Sequence, residues 1–208
     1  MKEGRATPGG RSRSRPNPRL DYARFELILT RRVNIIELLD RISRALDSPF
    51  LVIGGHAIAA SGYPRTTGDF DALVQKEHRA GWTDALKSAG YECISDQPTF
   101  AQFAGQPWEW PVDLMFVNET TFQKMWAERV STTIVGFSAY IPSPAHLVAL
   151  KLHALRFGPP RRARKDLDDI VEIITANRIS DKLPELCERF GTAELYERIK
   201  TALEEKGR

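Results

Sequence analysis

The sequence predicts a mixed α+β domain followed by a C-terminal helical bundle. Two observations lead there. Up to about residue 141, short apolar runs of strand length alternate with stretches of helical period. From Ser143 onward only capped, helix-period stretches remain. The chain has 208 residues and is 42% hydrophobic, enough for a sizeable buried core in one or two small domains.

The first element is a helix over 34–47. Asn34 caps it, Glu37 completes a capping-box pattern, and Ile35, Ile36, Leu38, Leu39, Ile42 and Leu46 form its apolar face. FLVIG (50–54) reads as a buried strand, and HAIAASG as a short helix whose N-terminus lies at Gly54-Gly55. DFDALV (69–74) alternates and reads as the next strand. A helix over 77–89 ends at Gly90. YECI, TFAQFA and WPVDLMFV supply further strands, and Asn118 caps a helix over 119–128. TTIVGFSAYI predicts a hairpin turning at Gly136-Phe137. Ser143 caps and Pro144 opens a helix that runs to Gly158. PPRRARK is a basic connector, and helices follow over 165–176, 181–190 and 192–205. The predicted division is thus an arm (1–20), an α/β domain (21–141) and a helical domain (142–208).

Charge and cysteine content narrow the function classes. The net charge is +3, but residues 1–20 hold six basic side chains against Glu3, a balance of +5 that leaves −2 for the remainder. This arm is rich in Gly, Pro, Ser and Arg and is expected to be disordered. It serves either as a solubilising tail or as a contact to nucleic-acid phosphates. Two cysteines without paired spacing speak against a disulfide scaffold or a cysteine zinc site and for a reducing, cytoplasmic setting. No signal peptide is visible, and no apolar run approaches the roughly 20 residues of a membrane span.

The chemistry concentrates in GGHAIAASGYPRTTGDFD (54–71). Thirteen residues separate Gly55 from Asp69, and Asp69 and Asp71 are spaced to share one face of a strand. Asp113, in the apolar strand PVDLMFV, supplies a third carboxylate if the two strands are neighbours. Like charges this close repel unless a cation lies between them. Three carboxylates make a hard-cation site suited to Mg²⁺, and two such ions suit in-line phosphoryl displacement. The Gly54-Gly55 turn lets backbone N–H groups approach a phosphate, while Arg65 adds a charged donor and Thr67 a hydroxyl.

The run GGHAIAASGYPRTTGDFDALV resembles the signature of the DNA-polymerase-β-like nucleotidyltransferases: strand, Gly-Gly or Gly-Ser, helix, Asp-x-Asp, with a third acid on a later strand. The fuller pattern formed by Gly54, Gly55, Ala57, Gly62, Arg65, Thr67, Asp69 and Asp71 is similar to that of the bacterial abortive-infection nucleotidyltransferase toxins, the AbiEii-like and MenT groups. IPSPAHLVALKLHALR and RKDLDDIVEII resemble the helical motifs of that family, in which Lys151 and Lys165, Asp166 and Asp169 would line the cleft. The resemblance covers roughly residues 50–175. It implies a nucleotidyltransferase-fold sheet and transfer of a nucleoside monophosphate from an NTP to a hydroxyl. Asp69 and Asp71 would hold two Mg²⁺ ions. Asp113 would hold the catalytic one and help deprotonate the acceptor, and Gly54, Gly55, Arg65 and Lys151 would hold the triphosphate. It implies an RNA acceptor, a tRNA 3′ end above all, and a cognate antitoxin protein or inhibiting kinase.

Plainer readings stand beside several of these residues. Lys151 lies beside an apolar stripe from which it could snorkel. Lys165 and Asp169 have the spacing of an ordinary i,i+4 surface pair. His56 and His153 read as structural, and Trp108 and Trp110 either pack the sheet or stack a base. Two rival functions remain: transfer to a small molecule such as an antibiotic, or to a protein side chain, and a non-catalytic nucleotide or RNA binder.

Overall fold

A computed structural model describes residues 34–207. The expected arm, and the start of the α/β domain at residues 21–33, lie outside the described residues. The chain opens with helix α1 (Ile35–Leu46), where the Asn34 side chain accepts from the Ile36 N–H and Asp47 ends the helix in the left-handed region. Strand β1 is only Leu51–Val52, shorter than the expected 50–54, because Gly54 turns the chain at φ +61° into helix α2 (Gly54–Ala60). Next come β2 (Phe70–Gln75), α3 (Arg79–Ser88), β3 (Glu92–Gln97), β4 (Phe100–Ala104) and β5 (Val112–Val117). Helix α4 (Glu119–Ala127) is capped by Asn118, which accepts from the Thr121 N–H.

The five strands form one sheet in the order β1-β2-β5-β4-β3. The central pair β2 and β5 is parallel, with Asp71 directly opposite Asp113. β5 then pairs antiparallel with β4, which places Gln102 opposite Asp113 and Phe100 opposite Met115. A separate hairpin joins β6 (Val130–Ile134) to β7 (Phe137–Ile141). Its turn is Val135-Gly136, one residue earlier than the sequence suggests, because both residues take positive φ.

The helical half comprises α5 (Pro144–Phe157), α6 (Ala163–Asn177), α7 (Leu183–Phe190) and α8 (Ala193–Lys206). The two faces of the sheet are covered differently. One face lies on the main core, where Phe70, Ala72, Leu114 and Phe103 pack in the same cluster as Leu39, Trp82, Leu147, Leu152 and Ile170. The apolar cluster therefore runs unbroken from the sheet into the bundle. On the other face Leu51, Ile53 and Leu73 pack beneath Phe122 and Met125 of α4, with Leu150 of α5 at the margin. No helix among the described residues is long and apolar enough to cross a membrane.

Candidate active site

The carboxylates converge on that second face. Asp71 and Asp113 sit opposite each other in the parallel pair, and Asp69 lies just before β2 rather than inside it. One ligand oxygen from each of Asp69, Asp71 and Asp113 falls within 4.8 Å of the others. Burial pushes the Asp71 carboxyl up to about 6, helped by the negative charges of Asp69 and Asp113 and opposed by Arg162 and Lys151. Burial also raises Asp113, opposed by its hydrogen bond from Gln102 and reinforced by Asp69. Three acids this close, two of them holding protons more tightly than usual, form a donor set that fits a hard divalent cation.

Each glycine of the turn makes room for one residue of the downstream motif. A Cβ on Gly54 would overlap the Asp71 carboxyl group, and its positive φ disfavours a side chain as well. A Cβ on Gly55 would lie 2.6 Å from Thr67 Cβ and Oγ1. Thr67 in turn donates its hydroxyl to Asp69 Oδ1 at 2.8 Å. The Ile53 N–H donates to Asp71 O at 3.0 Å, tying the end of β1 to β2. Gly54, Gly55, Thr67, Asp69 and Asp71 thus form one interlocked unit.

Arg65 and Lys151 belong to a second constellation. Arg65 Nη1 donates to both oxygens of Asp169, at 2.6 and 2.7 Å. Lys151 Nζ reaches Asp166 Oδ1 and Asp169 Oδ2, each at 2.7 Å. Asp166 and Asp169 lie three apart on one face of α6 and are both buried. Two cations and two anions therefore balance, joining the loop before β2 to α5 and α6. The surface pair read into Lys165 and Asp169 does not form. Lys165 is exposed and makes no ion pair among the described residues, because Asp169 is turned inward to Arg65 and Lys151.

His56 packs between Phe70 and Trp110, with ring centroids 5.0 and 5.1 Å away, and burial lowers its pKa. Its Nδ1 is buried without a partner. Trp110 therefore packs, whereas Trp108 is 74% exposed. His153 rests on Phe157, with ring centroids 4.7 Å apart. Two residues of the site went unnoticed in the sequence. Gln102 donates to both oxygens of Asp113, at 3.2 and 3.3 Å. Its signal was a lone polar side chain in the alternating strand TFAQFA, but its partner depended on the pairing register. Arg162, hidden in the connector PPRRARK, acts on both Asp71 and Asp113.

No family model matches the chain, and no curated protein does. Solved structures do. The antibiotic-resistance factor ANT(2'')-Ia in solution superposes with a TM-score of 0.53 at 14% identity, over 89% of this chain and 94% of that one. The crystal structure of ANT(2'')-Ia in complex with adenylyl-2''-tobramycin gives a TM-score of 0.53 at 14% identity, over 89% and 99%. The chain has the nucleotidyltransferase fold.

Proposed function

We propose that this protein transfers a nucleoside monophosphate from an NTP to a hydroxyl acceptor and releases pyrophosphate. The convergence of Asp69, Asp71 and Asp113 within 4.8 Å carries the reading. Asp69 and Asp71 would hold two Mg²⁺ ions, with Asp113 as a further ligand. When bound, these ions supply charge neutralisation of the triphosphate and Lewis-acid activation. The acceptor oxygen forms a bond to the α-phosphorus while the bond from that phosphorus to the α,β-bridging oxygen breaks. Pyrophosphate departs with the electron pair, and the acceptor proton passes to Asp113, whose burial favours taking it. The Gly54-Gly55 turn lies against Asp71, and the triphosphate would sit there, on the β1 side of the carboxylates. Arg65 and Lys151 serve there through Asp169 and Asp166, holding the helical half against the metal-binding loop, with Lys151 also close enough to act on Asp71. Lys165 is the exposed cation beside this cluster.

The motif resemblance extends the reading to an RNA acceptor, a tRNA 3′ end, and to a toxin restrained by an antitoxin or a kinase. A second reading takes a small molecule as acceptor. It is favoured by the fold it shares with ANT(2'')-Ia, whose structure holds adenylyl-2''-tobramycin. The test is label transfer from each of four α-labelled NTPs in Mg²⁺, with total tRNA or an aminoglycoside as acceptor and Asp69→Ala alongside. Label on tRNA that vanishes in the variant supports the RNA reading, and label on the small molecule supports the second. Label on neither, or label that persists in Asp69→Ala, would sink the reaction assigned here.

A further inference from the structure

A cavity of about 690 Å³ lies on the same face of the sheet as the carboxylates, and none of Asp69, Asp71, Asp113 and Gln102 lines it. Its position follows from the sheet. Across the second face the order runs from the Gly54-Gly55 turn at the end of β1, through Asp71 on β2 and Asp113 on β5, to Gln102 on β4. On that face the next cross-strand pair beyond Asp113 and Gln102 is Met115 and Phe100. Met115 and Phe100 line the cavity, which therefore begins two residues, about 7 Å, along β5 from Asp113. It lies on the far side of the carboxylates from the glycine turn.

The lining combines half-buried apolar and aromatic side chains with exposed charged ones. Leu150 of α5 and Phe190 of α7 line it together with Met115 and Phe100. Lys124, Lys182 and Arg189 stand at the rim with Glu128 and Glu185. Glu185 is occupied by Arg189 at 3.1 Å, and Glu128 faces His146 at 3.7 Å. Burial lowers the His146 pKa, which leaves Glu128 a charge of its own, and Lys124 and Lys182 make no ion pair among the described residues, so the rim carries three cations against two carboxylates. The volume falls in the range of small-ligand sites, on the order of 300–1,000 Å³, and suits a nucleoside. Aromatic walls with a cationic rim are the chemistry that binds single-stranded nucleic acid, by stacking bases and pairing phosphates.

We infer that this cavity receives the 3′-terminal nucleotide of an RNA acceptor, with its base between Phe100 and Phe190 and the adjoining phosphates on Lys124 and Lys182. The inference rests on the nucleotidyl-transfer reading. It places donor and acceptor on opposite sides of the carboxylates, the acceptor hydroxyl next to Asp113.

The test measures binding of two probes to the full chain separately. One is a fluorescent, non-hydrolysable NTP analogue in Mg²⁺; the other is a 5′-fluorescein single-stranded RNA 12-mer with a free 3′ hydroxyl. Two variants are compared with the natural chain. Lys124→Glu/Lys182→Glu reverses the exposed rim, and Ala145→Phe inserts a ring into the cavity from the first turn of α5. The expected result is RNA binding weakened at least about tenfold in both variants, with NTP affinity kept within about twofold. A circular RNA of the same sequence should compete at least about tenfold less well, because it has no end to insert. RNA that binds both variants as tightly as the natural chain would place the acceptor elsewhere. NTP binding without RNA binding in the natural chain would overturn the RNA assignment in favour of a small-molecule acceptor. No NTP binding in the natural chain would instead remove the nucleotidyl-transfer reading itself.

Discussion

Gly54 leaves empty the position that the Asp71 carboxyl group fills, in a backbone conformation at φ +61° that side chains disfavour. Gly54→Ala therefore has two effects. The left-handed conformation costs roughly 1–2 kcal/mol, and the added methyl pushes Asp71 out of the carboxylate trio. Gly136 separates them, since it has φ +84° with nothing within 4 Å of a Cβ. Both variants should lower the melting temperature by a few degrees. Only Gly54→Ala should lower NMP transfer, by about a hundredfold or more. Equal activity in the two variants would show that Asp71 does not depend on the glycine.

Asp169 is 3% exposed and holds both Arg65 and Lys151. Asp169→Ala leaves the part-buried Arg65 without its partner and Lys151 with Asp166 alone, a loss of about 3 kcal/mol. Asp40→Asn breaks an exposed i,i+4 pair with Arg44 and should cost under about 0.5 kcal/mol. Urea titrations of the two variants measure both. A midpoint for Asp169→Ala near that of Asp40→Asn would mean that the buried cluster contributes little.

The Asp71 carboxyl is raised from 3.8 to about 6 by burial and by Asp69 and Asp113. The folded state thus binds this proton more tightly than the unfolded state does. The resulting stability is fully present below pH 3.8 and is lost as pH rises through about 6. Metal-free protein should gain stability from this group between pH 7.5 and pH 5, and Mg²⁺ should raise the melting temperature more at pH 7.5 than at pH 5. Chelation at pH 7.5 should reverse that gain, and Asp71→Asn should flatten the difference. Thermal melts with and without Mg²⁺ at the two pH values decide it.

Gln102 donates to both oxygens of Asp113, and this bond counteracts the raised pKa of the acid. Gln102→Leu removes the donor and should raise Asp113 further. The acidic limb of the pH profile for kcat should move to higher pH, with kcat near neutrality falling about tenfold. A lower rate with an unmoved limb would assign Gln102 to packing alone.

The readable part of the site was the part held together within a few residues or by strand periodicity. Gly54, Gly55, Asp69 and Asp71 lie within one run, and Asp113 stood out as a carboxylate in an otherwise apolar strand. The caps at Asn34, Asn118 and Ser143 were equally local and are all present. What escaped depended on distant pairing. Arg65 and Asp169 are 104 residues apart, so the inward turn of Asp169 could not be seen, and the surface pair with Lys165 was the local alternative. Gln102 needed the register of β4 against β5. Trp108 and Trp110 carry the same side chain two residues apart, yet only tertiary packing decides that Trp110 meets His56 while Trp108 faces solvent.

The cluster of Arg65, Asp169, Lys151 and Asp166 also has a mechanical meaning. Arg65 belongs to the same short loop as Thr67 and Asp69, and its anchor is a helix of the C-terminal half. Any rocking of that half against the sheet therefore pulls on the loop that aims Asp69. The bundle is thus tethered to the three carboxylates, and a displacement of α5 or α6 would reach their face of the sheet through a tie two side chains long.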